Sequence, residues 1–167
     1  MTLKIKKLTQ IAILSALGSV MRLSLVAFPN VKPITAFFFV LVIYLGLGTA
    51  LLVASLTMTL TGLLLGFSVI IFAQIVSYAM ILTAGYFLFK HVRQVVLQAI
   101  LAGILTMCWG FLISLFSARL FGSSIWPFWL SGLPFDVAHA VSTALFFPVL
   151  IIIFKQINKG QNNDNFR

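Results

Sequence analysis

Asp136 and His139 are the two residues of this sequence best placed to do chemistry. Both are ionisable, and both stand inside an apolar run, LSGLPFDVAHAVSTALFFPVLIIIF, from Leu130 to Phe154. Asp136 is one of only two acidic residues in the chain, the other being Asp164 in a polar C-terminal stretch. A charge at the mouth of an apolar helix is costly unless it has a partner or faces water. Asp136, His139 and Thr143 are spaced i, i+3 and i+7 and therefore share one helix face. Pro134 suits the first turn of a helix beginning there, with Ser131 and Gly132 breaking what comes before. The chemistry this pattern fits is polar recognition of a small molecule. A bland alternative is that Asp136 caps its own helix, where the dipole favours a carboxylate, or pairs with Arg22, Lys32 or Arg119.

The elements that must position these residues are apolar helices. The composition is 62% hydrophobic and 8% charged, too few charged residues to coat a soluble core of this size. Apolar runs repeat along nearly the whole chain, which identifies an all-α integral membrane protein. The runs and their breaks predict six transmembrane helices at about 8–28, 34–45, 49–65, 69–89, 95–116 and 134–154. A polar tail follows over 155–167. The basic N-terminal start and the long run after it read as a retained helix rather than a signal peptide.

The net charge of +9 does not point to nucleic acid, because the basic residues sit at helix ends rather than on a hydrophilic domain. Six crossings with both termini cytoplasmic place Lys4, Lys6, Lys7, Lys90, Arg93, Lys155, Lys159 and Arg167 inside. That is eight of the eleven basic residues, and it satisfies the positive-inside bias.

In that topology the outer end collects Asn30, Lys32, Gln74, Tyr78, Trp126, Trp129, Asp136 and His139. Aromatic rings mixed with a few polar groups are what a small-molecule site needs. Taken singly, Trp126 and Trp129 equally suit interface anchors. Ala12 and Ala16 form a small-xxx-small pair that permits close helix contact, within the chain or with a partner.

An enzyme is not indicated. There is no HExxH, no pair of membrane carboxylates and no G-x(4)-G-K-[ST] run, so P-loop hydrolysis of ATP would have to come from a partner. The single cysteine, Cys108, excludes an internal disulfide and argues against a cysteine-based metal cluster. No cofactor or metal is expected.

With its size, its six apolar segments, the Ala12/Ala16 spacing after a basic start, the PNVKP loop (Pro29 to Pro33) and the LPFDVAHA run (Leu133 to Ala140), the chain resembles the substrate-binding S components of energy-coupling factor (ECF) transporters. The resemblance covers nearly the whole chain. It implies a protein of the bacterial or archaeal cytoplasmic membrane that binds a vitamin or micronutrient at its outer face. It also implies a coupling transmembrane subunit and two ATPase subunits as partners. Ala12 and Ala16 would mark the docking face and Pro29 to Pro33 a lid over the ligand. Cobalamin or a related corrinoid is the substrate the resemblance favours, ahead of riboflavin, thiamine, pantothenate, folate, queuosine precursors or transition metals. The chain departs from the fuller pattern in the plain FSVIIFAQIV stretch after Gly66 and in Ser142 and Thr143 near the proposed site. Two other classes fit the composition: a small structural membrane protein of a cell-shape complex, and a solitary secondary carrier.

Overall fold

The computed structural model describes residues 3–24 and 31–164, with side chains over 4–24 and 31–157. The described residues form six helices: α1 (Leu3–Leu23), α2 (Ile34–Leu45), α3 (Leu47–Leu65), α4 (Ile70–Phe89), α5 (Val95–Leu120) and α6 (Ile125–Asp164). Four stretches are long and apolar enough to cross a membrane: Leu47–Leu65, Ile70–Phe89, Val95–Leu120 and Ile125–Ile157. Their outward faces are studded with Leu, Ile, Val and Phe, as a lipid-facing surface requires. α1 carries Lys4, Lys6, Lys7 and Arg22 within its length and falls outside that set.

α2 is the axis of the bundle. Its 12 residues rise about 18 Å, short of the ~30 Å hydrocarbon core. Every residue from Ile34 to Val42 is buried, and α2 touches each of the other five helices. Apolar character all round its circumference is what such a position demands. Phe37, Phe38 and Phe39 pack at its centre, with Phe39 edge-on to Phe89 at 5.4 Å between ring centroids. A single residue, Gly46, links α2 to α3. Its φ of +82° is a conformation only glycine adopts without strain.

Helices successive in sequence alternate in direction. Gly62 of α3 abuts Ile71 of α4, across the short turn between them. α5 and α6 run antiparallel along a seam of small residues, where Gly103 meets Ala140 and Ala144, Gly110 meets Asp136, and Ser114 lies near Gly132. Such seams let backbones approach closely, which is how helices associate in lipid, where burying apolar surface gives no net gain. On the other side, Gly18 of α1 packs against Thr57 of α3, and Thr57 Oγ1 donates to the Ser15 carbonyl at 3.3 Å.

The helix limits correct the sequence reading in two places. α5 continues to Leu120 and α6 begins at Ile125, so only four residues separate them where a long loop over 117–133 was expected. Pro134 is therefore not in a first turn. It lies in the interior of α6, as does Pro148. Each proline leaves one carbonyl a turn earlier without its helical donor, and membrane helices tolerate this where neighbours re-satisfy the freed group. α1 begins at Leu3, five residues earlier than expected, and its expected extension to residue 28 lies outside the described residues.

Candidate functional site

The alternating directions bring one end of every helix together: the C-terminal ends of α1, α3 and α5 and the N-terminal parts of α2, α4 and α6. Lys4 to Lys7, Lys90 and Arg93 lie at the opposite end. At the shared end is a cavity of about 90 Å³, lined by Arg22, Lys32, Ile34, Met58, Gln74, Tyr78, Trp109 and His139. All six helices and the α1–α2 connection contribute to it.

Its polar groups are held in a defined order. Arg22 Nη1 donates to Thr61 Oγ1 at 2.8 Å and to Met58 Sδ at 2.7 Å, and Nη2 donates to Gln74 Oε1 at 3.1 Å. These acceptors are neutral, so they aim the guanidinium without cancelling its charge. Thr35 Oγ1 sits between two others, 2.8 Å from Tyr78 OH and 2.9 Å from His139 Nε2. The Trp109 ring then closes the wall. It meets His139 edge-on at 5.1 Å and Tyr78 at 5.2 Å with a tilt of 38°. Trp109 Nε1 is buried and has no hydrogen-bond partner. Lys32 reaches the cavity from the connection, where its backbone N–H donates to Ser142 Oγ of α6 at 3.4 Å. Partial burial, and then the charge of Arg22, hold the Lys32 amine below the ordinary lysine range.

Of the residues singled out from sequence, the cavity unites Lys32, Gln74, Tyr78 and His139. Asn30 lies outside the described residues, as does Pro29 of the expected Pro29 to Pro33 lid, while 31–33 are described. Asp136, Trp126 and Trp129 are not brought to the cavity. Asp136 is buried on the side of α6 that faces Gly110 of α5, where a β-carbon on Gly110 would collide with its carboxylate. The Trp129 indole lies beside that carboxyl, yet Asp136 Oδ2 and Trp129 Nε1 both lack a partner of hydrogen-bonding geometry. Trp126 and Trp129 pack on one another and on Phe111, with ring centroids 5.4–6.4 Å apart. Trp126 is 65% exposed, as an interface anchor would be. The early start of α6 explains the separation, because it moves both tryptophans onto a helix face along α5.

The sequence named Arg22 as one of three possible partners for Asp136, and did not assign Trp109, Met58 or Thr35 to a site. A tryptophan in mid-helix, away from the membrane interface where the residue is usual, was the available signal for Trp109. Ala12 and Ala16 are exposed on α1, on the face turned away from α3. Cys108 is exposed and does not line the cavity.

A larger groove of about 460 Å³ runs between the start of α4 and the end of α5, walled chiefly by Val69, Phe72, Val76, Phe116 and Leu120. It is mostly apolar, with Ser117 and Arg119 as its polar lining, and open at the perimeter, where acyl chains would lie, rather than a chamber of convergent polar groups. The small polar cavity is the one with the chemistry. Comparisons with protein-family models, with characterised proteins and with solved structures gave no match.

Proposed function

We propose that this chain is the membrane-embedded binding subunit of a vitamin or micronutrient importer of the ECF S-component kind. It takes its ligand from the outer face into the cavity at the shared helix ends and hands it to a coupling transmembrane subunit driven by two partner ATPases. The observation that carries this reading is the cavity itself: a small polar chamber in an otherwise apolar bundle, with every helix contributing to its wall. A structural scaffold has no need of such convergence. The chain has no phosphate-binding loop of its own, so energised uptake needs the partner ATPases.

In this reading all six helices lie in a bacterial or archaeal cytoplasmic membrane, with α2 shielded by its neighbours. Both termini are cytoplasmic, which puts the basic clusters inside and the cavity outside. The exposed Ala12 and Ala16 face of α1 docks on the coupling subunit. A chamber of about 90 Å³ is far smaller than a corrinoid, so its size favours a smaller micronutrient or one part of a larger molecule.

The test is purification of the chain from its own host in mild detergent, followed by identification of bound proteins. Recovery of a coupling subunit with ATPases supports the proposal. Recovery with cell-wall machinery alone would replace it with the structural reading.

A further inference from the structure

Among the described residues, the cavity is lined by two cationic side chains, Arg22 and Lys32, and no acidic one. The whole sequence contains only two acidic residues with which to balance them. Asp136 is turned into the α5–α6 seam against Gly110, not into the cavity. Asp164 lies 28 residues further along α6, about 42 Å of helix, toward the far end of the bundle. Among the described residues, no acidic side chain reaches the cavity to serve as a counter-ion. The residues that hold Arg22 in place, Met58, Thr61 and Gln74, are neutral acceptors. Two like charges brought together in a partly buried, membrane-flanked chamber are costly without an opposite charge. The charge of Arg22 acts on Lys32, and it is of like sign. A further donor, Trp109 Nε1, is buried in this wall without a partner.

From this arrangement we infer that the cavity binds a small organic anion, with its carboxylate or phosphate group between Arg22 and Lys32 and its remaining atoms against Tyr78 and Trp109. Resting on the importer reading, this names the substrate class of the same site. The guanidinium supplies fork-like donors that suit planar oxyanions, and Lys32 adds a mobile point charge. The Tyr78 and Trp109 rings offer flat apolar surface beside the charged pair, and Gln74 holds the guanidinium at the correct angle. A cationic micronutrient such as a free metal ion or a thiazolium would be repelled from this site. An anionic lipid headgroup shares the same chemistry and must be separated from a soluble ligand by experiment.

The experiment uses the full chain in nanodiscs of phosphatidylcholine, in low-chloride buffer, with tryptophan fluorescence and thermal unfolding as readouts. The test ligands are propionate and benzoate, each against its amide, which has the same shape and no charge. We expect at least one acid to saturate the protein, and its amide to bind at least about tenfold more weakly. Losing one charge-assisted contact in Lys32→Gln or Arg22→Gln should weaken the acid by about ten- to a hundredfold. Arg22→Lys, which keeps the charge, should retain part of the affinity and serves if Arg22→Gln does not fold. Equal binding of acid and amide overturns the inference and leaves the importer reading intact. Failure of both acids to saturate, or undiminished acid binding in Lys32→Gln, also overturns it. If phosphatidylglycerol in the nanodisc gives the same Lys32-dependent stabilisation and shuts out both acids, the anion is a lipid headgroup and the soluble-ligand assignment falls. Loss of the importer reading would show separately, as absence of the coupling subunit and ATPases from the purified complex.

Discussion

Replacing Gly110 with alanine places a methyl group where the Asp136 carboxylate now sits. A β-carbon built at Gly110 overlaps Cγ, Oδ1 and Oδ2 of Asp136 together, so no small adjustment of one atom relieves it. Asp136 is 8% exposed and has the Trp129 indole beside it, which limits where the carboxylate can go. Either its side chain must change rotamer or α5 and α6 must separate. Over-packing of this kind costs about 1–3 kcal/mol. Alanine also forms helix better than glycine by about 1 kcal/mol, which offsets part of the cost. Gly110→Ala alone should therefore be destabilising by up to about 2 kcal/mol, the sum of these opposing effects. In the Asp136→Ala background the collision is gone and only the helix-propensity gain remains. There the same change should be neutral or stabilising by up to about 1 kcal/mol. Equilibrium unfolding of the four proteins of this cycle in mixed micelles measures the coupling. Equal effects of Gly110→Ala in both backgrounds would refute the placement of Asp136 in the seam.

Three further outcomes follow from the same geometry. Thr35→Val keeps the shape of α2 but removes the hydroxyl between Tyr78 OH and His139 Nε2. It should cost about 1–3 kcal/mol, because two buried polar groups lose a partner, and an unchanged unfolding midpoint would contradict the network. Binding of an anionic ligand should weaken as pH rises. Deprotonation of Lys32 removes a positive charge, and its lowered pKa starts that loss below the ordinary lysine value of about 10.4. The groups around it at the cavity are Arg22 of α1, Gln74 and Tyr78 of α4, and His139 of α6, and Lys32→Arg should flatten the profile. A wild-type dissociation constant that stays flat up to the ordinary lysine range would rule this out. On the importer proposal, Ala12→Leu should leave ligand affinity intact and reduce recovery of the coupling subunit, since the added bulk sits on an exposed face of α1. Undiminished recovery would reject that face as the docking surface.

The helical class was legible because repeated apolar runs of membrane-spanning length, broken by glycine and basic residues, fit helices far better than strands. The breaks at Gly46, Gly66 and Lys90 were legible from glycine and charge. Gln74, Tyr78 and His139 stood out as polar groups in apolar helices, and the alternating topology was enough to bring them to one end. What escaped was what depends on helix rotation. Asp136 and His139 share a face at i, i+3, but three residues turn the helix by about 60° from eclipse. That offset sends Asp136 toward α5 and leaves His139 at the cavity. The span of α6 also escaped, because Pro134 after a glycine resembles a start signal. The helix instead runs back through it to Ile125, packed along α5. Arg22 was ambiguous because its acceptors lie 36 to 52 residues away, on α3 and α4, and no local pattern names them.

The cavity between Arg22 and Lys32 is proposed as the ligand site. Native mass spectrometry of the full chain, purified in mild detergent from its own host, tests it most directly when wild type is set beside Lys32→Gln. We expect wild type to carry a small molecule that is released as an anion on activation, and Lys32→Gln to fly largely bare at the same concentration. A bound molecule retained equally by both proteins would place the ligand elsewhere in the bundle, and a wild-type protein with no bound molecule under any gentle condition would contradict the claim outright.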